Sequence, residues 1–220
     1  NDLYILEETY FLQDNLIFPE NLNVYFNPGV NFILDRNISI VVRGSFYAKG
    51  KKDKKIYIKS KNHEQKQHAF NSIILIGDNF NDTVKLENFE ISGGSSDNIL
   101  FIKTTSQMHI NNYKNVEIKN SLFSNSYADD GLNIKNSTVI VERSIFKDNS
   151  ADQLDCDNCS GLIKNSYFSP NNNSTNKNGD GLDYRVDNLR WVTSSQNSVG
   201  TKRKRQITFL EQARIEKLKI

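Results

Sequence analysis

Proline and sulfur are scarce in this chain. Its 220 residues include 3 Pro, 11 Gly, 2 Cys and 1 Met. Two cysteines, Cys156 and Cys159 in a single CxxC, cannot knit a disulfide framework for a chain of this length. No run of 18 apolar residues is present, so no transmembrane helix is encoded. No secretory leader is visible and the first residue is Asn1, so a mature, clipped or internal stretch of chain is expected. Charge of one sign is also lacking, since the formal net charge is +2. The apolar fraction, 37%, is low, but with so little net charge and 10% aromatics the composition predicts a packed core over disorder. Asn-Gly and Asp-Gly hairpin signals are few, which argues against a β-sandwich of tight hairpins.

What is present is a repeat. Asp130-Gly131-Leu132-Asn133-Ile134 is followed at an offset of 22 by Asp152-Gln153-Leu154-Asp155-Cys156, and 28 residues further by Asp180-Gly181-Leu182-Asp183-Tyr184. A second column keeps the register: Ser121-Leu122-Phe123, Ser144-Ile145-Phe146 and Ser166-Tyr167-Phe168. Asn71 to Ile76 resembles Asp97 to Ile102 and reads as one more pair of equivalent stretches. Within the units apolar residues alternate, as in Val84/Leu86, Val116/Ile118 and Leu132/Ile134. Period 2 is the signature of strand.

Asparagine tolerates left-handed backbone and supplies the corners between short strands. One such coil cannot bury its inner face alone, whereas stacked coils can, at about 4.8 Å per rung. The expected fold is all-β: a right-handed parallel β-helix over residues 1–183, with residues 1–26 capping its open end. Corner residues Asn88, Asn120 and Asn165 are expected to form an amide ladder. A short basic, partly helical appendage over 184–220 follows.

The opening PGVNFILDRNISIVVRGSFYAKG resembles the first coils of bacterial right-handed β-helix proteins. The run from Asp129 to Phe168, with Gly179-Asp180-Gly181-Leu182-Asp183 after it, resembles the β-helix region of CotH-type surface and spore-coat proteins. That resemblance covers about residues 20–183 and implies an extracellular or cell-envelope location. The kinase-like domain of that family has no counterpart here, so none of its catalysis is implied.

After Asp183 the alternation stops. Residues 201–220 carry a net charge of +5 and residues 1–200 a net charge of −3. NGDGLDYRVDNLRWVTSSQN is similar to the second half of phage-type HNH homing endonucleases, over about residues 178–205. In that family a His base, a positioning Asn and a third His or Asn surround one divalent metal. Asn188 matches the middle Asn and Asn197 the final one. The family's His pair falls at about Thr175 and Asn176, and neither is His. The resemblance therefore implies Mg²⁺ only for an intact site, and here it implies a degenerate fragment. The shared GDGLD segment suggests a junction between two gene pieces.

Candidate sites follow from the register. Asp130, Asp152 and Asp180 form one column, and Asn133, Asp155 and Asp183 the next. Carboxylates one rung apart repel, so a cation, a proton or an Arg is expected among them. Ca²⁺ held by Asp152, Asp155 and Asp180 is one reading. An acid/base pair cleaving polysaccharide is another, and solvated turn residues are the simplest. Cys156 takes the inward slot that Ile134 holds one rung earlier, so it is expected as a small buried hydrophobe, with a local redox pair as the alternative.

Arg185, Arg190, Lys202, Arg203, Lys204 and Arg205 are candidates for DNA phosphate contacts. The leading functional expectation is a non-catalytic structural or glycan-binding module of a surface protein, monomeric, with a polysaccharide or cell-surface glycan as partner. The alternatives are a polysaccharide lyase or hydrolase using the Asp column, and a degenerate HNH or DNA-binding fragment fused to the solenoid.

Overall fold

A computed structural model describes residues 1–62, 65–78 and 81–169, together with the backbone of 185–191. The regular structure among them is almost wholly β, with one 3₁₀ turn at Lys66–His68. The chain advances in turns of three strands. The first turn is β1 (Asp2–Ile5), β2 (Thr9–Leu12) and β3 (Leu16–Ile17); the second is β4 (Asn23–Phe26), β5 (Asn31–Leu34) and β6 (Ile40–Arg43). The third is β7 (Phe46–Lys49), β8 (Ile56–Ser60) and β9 (Ile73–Ile76). The fourth begins with β10 (Thr83–Glu87) and β11 (Phe89–Ser92). It then detours through β12 (Asp97–Ile99) and β13 (Ile102–Thr104) before β14 (Met108–Asn111). The fifth is β15 (Asn115–Lys119), β16 (Leu122–Ser124) and β17 (Asn133–Lys135); the sixth is β18 (Thr138–Glu142), β19 (Ile145–Lys147) and β20 (Asp155–Asp157). β21 (Ser160–Phe168) spans two sides of the seventh, and β22 (Arg185–Trp191) follows.

Each strand of a turn pairs in parallel with its counterpart in the next. β1, β4, β7, β10, β15, β18 and β21 form one ladder, and β2, β5, β8, β11, β16, β19 and β21 a second, the two merging in β21. β3, β6, β9, β14, β17 and β20 form the third. The result is a solenoid-like all-β fold built on long parallel sheets. Residues 1–26, expected to cover the open end, hold the first turn and β4 of the second, in register with the turns that follow: Leu3 lies beside Val24 and Leu16 beside Ile40. At the other end β22 pairs antiparallel with β21. An antiparallel strand laid on the last parallel one covers an edge that would otherwise recruit other chains.

Alternation carries side chains inward and outward by turns. Val84, Val116 and Val139 stand in register along one inner column, and Phe123, Phe146 and Phe168 along another. The Phe123 and Phe146 rings stack at 4.8 Å, as do Phe146 and Phe168. The expected Phe column is therefore the spine of the interior. The serine that opens each of those motifs has a role as well. The backbone N–H of Ser121 donates to Ser144 Oγ and that of Ser144 to Ser166 Oγ, each at 3.2 Å. Each hydroxyl in turn donates to the carbonyl two residues back, as Ser121 does to Lys119 at 2.7 Å. This serine column satisfies backbone groups at a corner that would otherwise be buried without partners.

The amide ladder is placed differently from expectation. Asn88, Asn120 and Asn165 do take left-handed backbone, with φ of 46°, 49° and 48°. Arg143 occupies the equivalent corner with φ 48°, and its Nε donates to Asn120 Oδ1. Asn88 donates to the Gly50 carbonyl. An Asn–Asn contact across turns occurs instead at another corner, where Asn158 Nδ2 donates to Asn136 Oδ1 at 2.9 Å. The supposed equivalence of 71–76 and 97–102 is also overturned: β9 pairs with β14, and 97–104 forms an antiparallel hairpin.

Tyr113 ties distant turns together. It is buried, and its hydroxyl donates to the Gly44 carbonyl, 69 residues away, at 2.7 Å. Burial raises its phenol pKa, so the hydroxyl stays protonated and keeps donating. Tyr113→Phe leaves that carbonyl short of a donor and is expected to lower stability by about 1 kcal/mol. Urea unfolding checks this, and an unchanged midpoint would show that water replaces the bond.

Candidate functional site

One column of the third ladder, facing away from the apolar core yet buried from Val41 to Asn133, changes character along its length. Val41, Ile74, His109, Asn133 and Asp155 lie in register on successive strands, β6, β9, β14, β17 and β20. The first two are apolar and the last three polar. The polar three form a chain of bonds. Asn133 Nδ2 donates to Asp155 Oδ2 at 2.8 Å, and Asn133 Oδ1 lies 2.9 Å from His109 Nδ1. A carboxylate only accepts, so Asp155 fixes the amide orientation. The amide oxygen then requires a proton on His109 Nδ1, which leaves Nε2 with its lone pair. Burial lowers the His109 pKa, against the pull of the Asn133 bond. The ring is therefore neutral near pH 7.

The neighbouring column is Ser106, Asp130 and Asp152, joined by parallel bridges between turns. Asp130 is 5% exposed and accepts a 2.9 Å hydrogen bond from Thr105 Oγ1. Burial chiefly, and then the charges of Asp155, Asp152 and Asp129, push its pKa up to about 7, while the Thr105 bond opposes the rise. Burial and nearby carboxylates also raise Asp152 and Asp155. A proton is therefore held more readily on Asp130 than on a free carboxyl. Lys135 pairs with Asp157 at 2.8 Å on the outer margin.

The two acidic columns read from the sequence are brought together as far as Asp130, Asp152 and Asp155. Asp180 and Asp183 lie outside the described residues. Among the described residues, no three His, Cys, Asp or Glu gather in a group that could hold a metal ion. Arg185, Asn188 and Arg190 lie on β22, opposite Tyr167, Lys164 and Leu162. Asn197, Lys202, Arg203, Lys204, Arg205 and the helix expected near the C-terminus lie outside the described residues.

Cys156 does sit opposite Ile134, but the expectation of a small buried hydrophobe is corrected toward the alternative, a local cysteine pair. Cys156 is only half-buried and is disulfide-bonded to Cys159. The corner at Asn158, with φ 54°, turns both cysteines onto the same core.

His109 and Thr105 were missed as site residues. The signal for His109 was its spacing of 24 residues before Asn133, close to the repeat length. Beside the columns, a groove of about 610 Å³ runs between the hairpin stem (Asp97, Asn98, Lys103, Thr104) and the corner Tyr127-Ala128-Asp129, with Thr105 also in its lining. No helix among the described residues is long and apolar enough to cross a membrane.

Compared with protein-family models, with curated proteins and with solved structures, the chain matches none.

Proposed function

We propose that this chain is a right-handed parallel β-helix of the CotH-like surface type, and that it binds a glycan along the polar part of its third face. The handedness rests on the near-universal right-handed crossover between parallel strands. A cell-surface or envelope setting follows from the family resemblance. The observation that carries glycan binding is a groove lined with hydroxyl, amide and carboxylate groups, beside a column that switches from Val41 and Ile74 to the buried pair His109 and Asn133 and ends on the half-buried Asp155. A structural column could stay apolar, as this one does in its earlier turns. Sugars demand dense, oriented donors and acceptors, and the groove supplies both, while the buried His109–Asn133 pair holds Asp155 at its margin.

Calorimetric titration of the intact chain tests the reading. The probes are hexasaccharides of N-acetylglucosamine, of β-1,4-linked glucose and of galacturonate. At least one should bind saturably, and Asp155→Ala should weaken it about tenfold by freeing the Asn133 amide. If none of the three binds, the reading fails.

A second reading, glycoside cleavage, is favoured by one specific observation. Burial pushes the Asp130 pKa up to about 7, with the carboxyls of Asp152 and Asp155 beside it. A protonated and an ionised carboxyl side by side are what acid-assisted cleavage requires. Release of reducing ends from any bound hexasaccharide, abolished in Asp130→Asn, would convert binding into catalysis.

A further inference from the structure

The hairpin of β12 and β13 has a tip that the fold does not explain. Its two-residue turn is Leu100-Phe101, with φ of 51° and 63°. Two consecutive positive φ values suit Asn-Gly, because a bulky side chain crowds its own backbone there. Neither residue recovers the strain by packing, since Leu100 is 52% exposed and the Phe101 side chain stands fully in solvent at 107%. The stem, by contrast, is well rooted. The Asp97 backbone N–H donates to Thr104 Oγ1 at 2.9 Å, and the Asp97 carboxylate accepts from Asn71 at 3.1 Å and from the Ser39 hydroxyl. A rigid stem thus presents a strained apolar tip.

That stem is also one wall of the groove. Asn98 and Lys103 line it, and Phe101 precedes Lys103 by two residues, at the tip of the same hairpin. The groove lining includes Thr105, whose hydroxyl donates to Asp130. A pyranose ring has a rim of hydroxyls and an apolar face of C–H groups. The polar groove matches the first and an exposed phenyl ring the second.

We propose that the hairpin is the gripping arm of the glycan site, with Phe101 stacking on the apolar face of a sugar ring whose hydroxyls are held in the groove. This rests on the glycan-binding reading and adds to it the specificity-determining contact. It also assigns the cause of the strain: the turn keeps an aromatic where glycine would fold more easily.

The test uses the intact chain and the same three hexasaccharides, with Phe101→Gly and Phe101→Trp. Phe101→Gly should raise the melting temperature by relieving the turn, yet weaken binding about three- to tenfold. Phe101→Trp should retain affinity. Equal affinity for the wild-type chain and Phe101→Gly overturns the arm and leaves the glycan reading standing. Failure of the wild-type chain to bind any hexasaccharide overturns both. Binding of the wild-type chain to phosphatidylcholine vesicles, lost in Phe101→Gly while hexasaccharide affinity is unchanged, assigns the tip to lipid and overturns the arm.

Discussion

Phe123→Ala should destabilise the chain by about 3–5 kcal/mol, the largest loss expected from any single truncation considered. The Phe123 ring stacks on Phe146 at 4.8 Å and lies 6.1 Å from Phe89, so its removal opens a cavity between turns on both sides. Neighbours that are themselves stacked cannot collapse into such a gap without losing their own contacts. Phe11→Ala is the control. That side chain is 69% exposed on β2, and its loss should change stability by less than about 0.5 kcal/mol. Urea unfolding of both variants checks the contrast. Similar small losses at the two positions would mean that the turns do not share an interior.

The second large effect is a pH dependence located on Asp130. Its carboxyl titrates near 3.8 when unfolded and at about 7 when folded. Between those values the folded state holds more protons than the unfolded one, so this group's contribution to stability falls as pH rises from about 4 to 7 and is flat above that. Asp152 and Asp155 shift in the same direction. His109 works the other way: its lowered pKa favours folding as pH rises toward the ordinary histidine value. The wild-type profile is a sum of opposed slopes, so the informative quantity is the difference from Asp130→Asn. That variant should match the wild type near pH 4 and be more stable by on the order of 1–2 kcal/mol at pH 8, once partial solvent screening of the group is allowed for. A pH-independent difference would place the charge elsewhere.

Much of the fold was legible in residues 115–168. There the turns are short and even, and a spacing of 22 or 23 residues puts Phe123 beside Phe146 and Asn133 beside Asp155. Legibility failed where the turns carry insertions. Ile99-Leu100-Phe101-Ile102 reads as a buried strand because an apolar run has no period of its own, and only its backbone shows a hairpin tip. The detour through β12 and β13 stretches the fourth turn and hides that His109 stands over Ile74. The disulfide was weighed only as the lesser alternative, since a tight CxxC closes on itself only when a corner aims both side chains the same way. The carboxylate column was foreseen, but its protonation depends on burial and on Thr105, neither of which a linear sequence displays. The serine column was seen as a motif, without its function as a chain of backbone acceptors.

The decisive question for this molecule is where a sugar lies. A crystal structure of the intact chain with a bound hexasaccharide tests this most directly. The prediction is a sugar ring against the Asp97–Asp129 groove, with Asp130 or Asp155 within hydrogen-bonding distance and Phe101 over a ring face. Sugar seated on the Tyr57–Lys147 face of the second ladder, away from His109, Asn133 and Asp155, would contradict it.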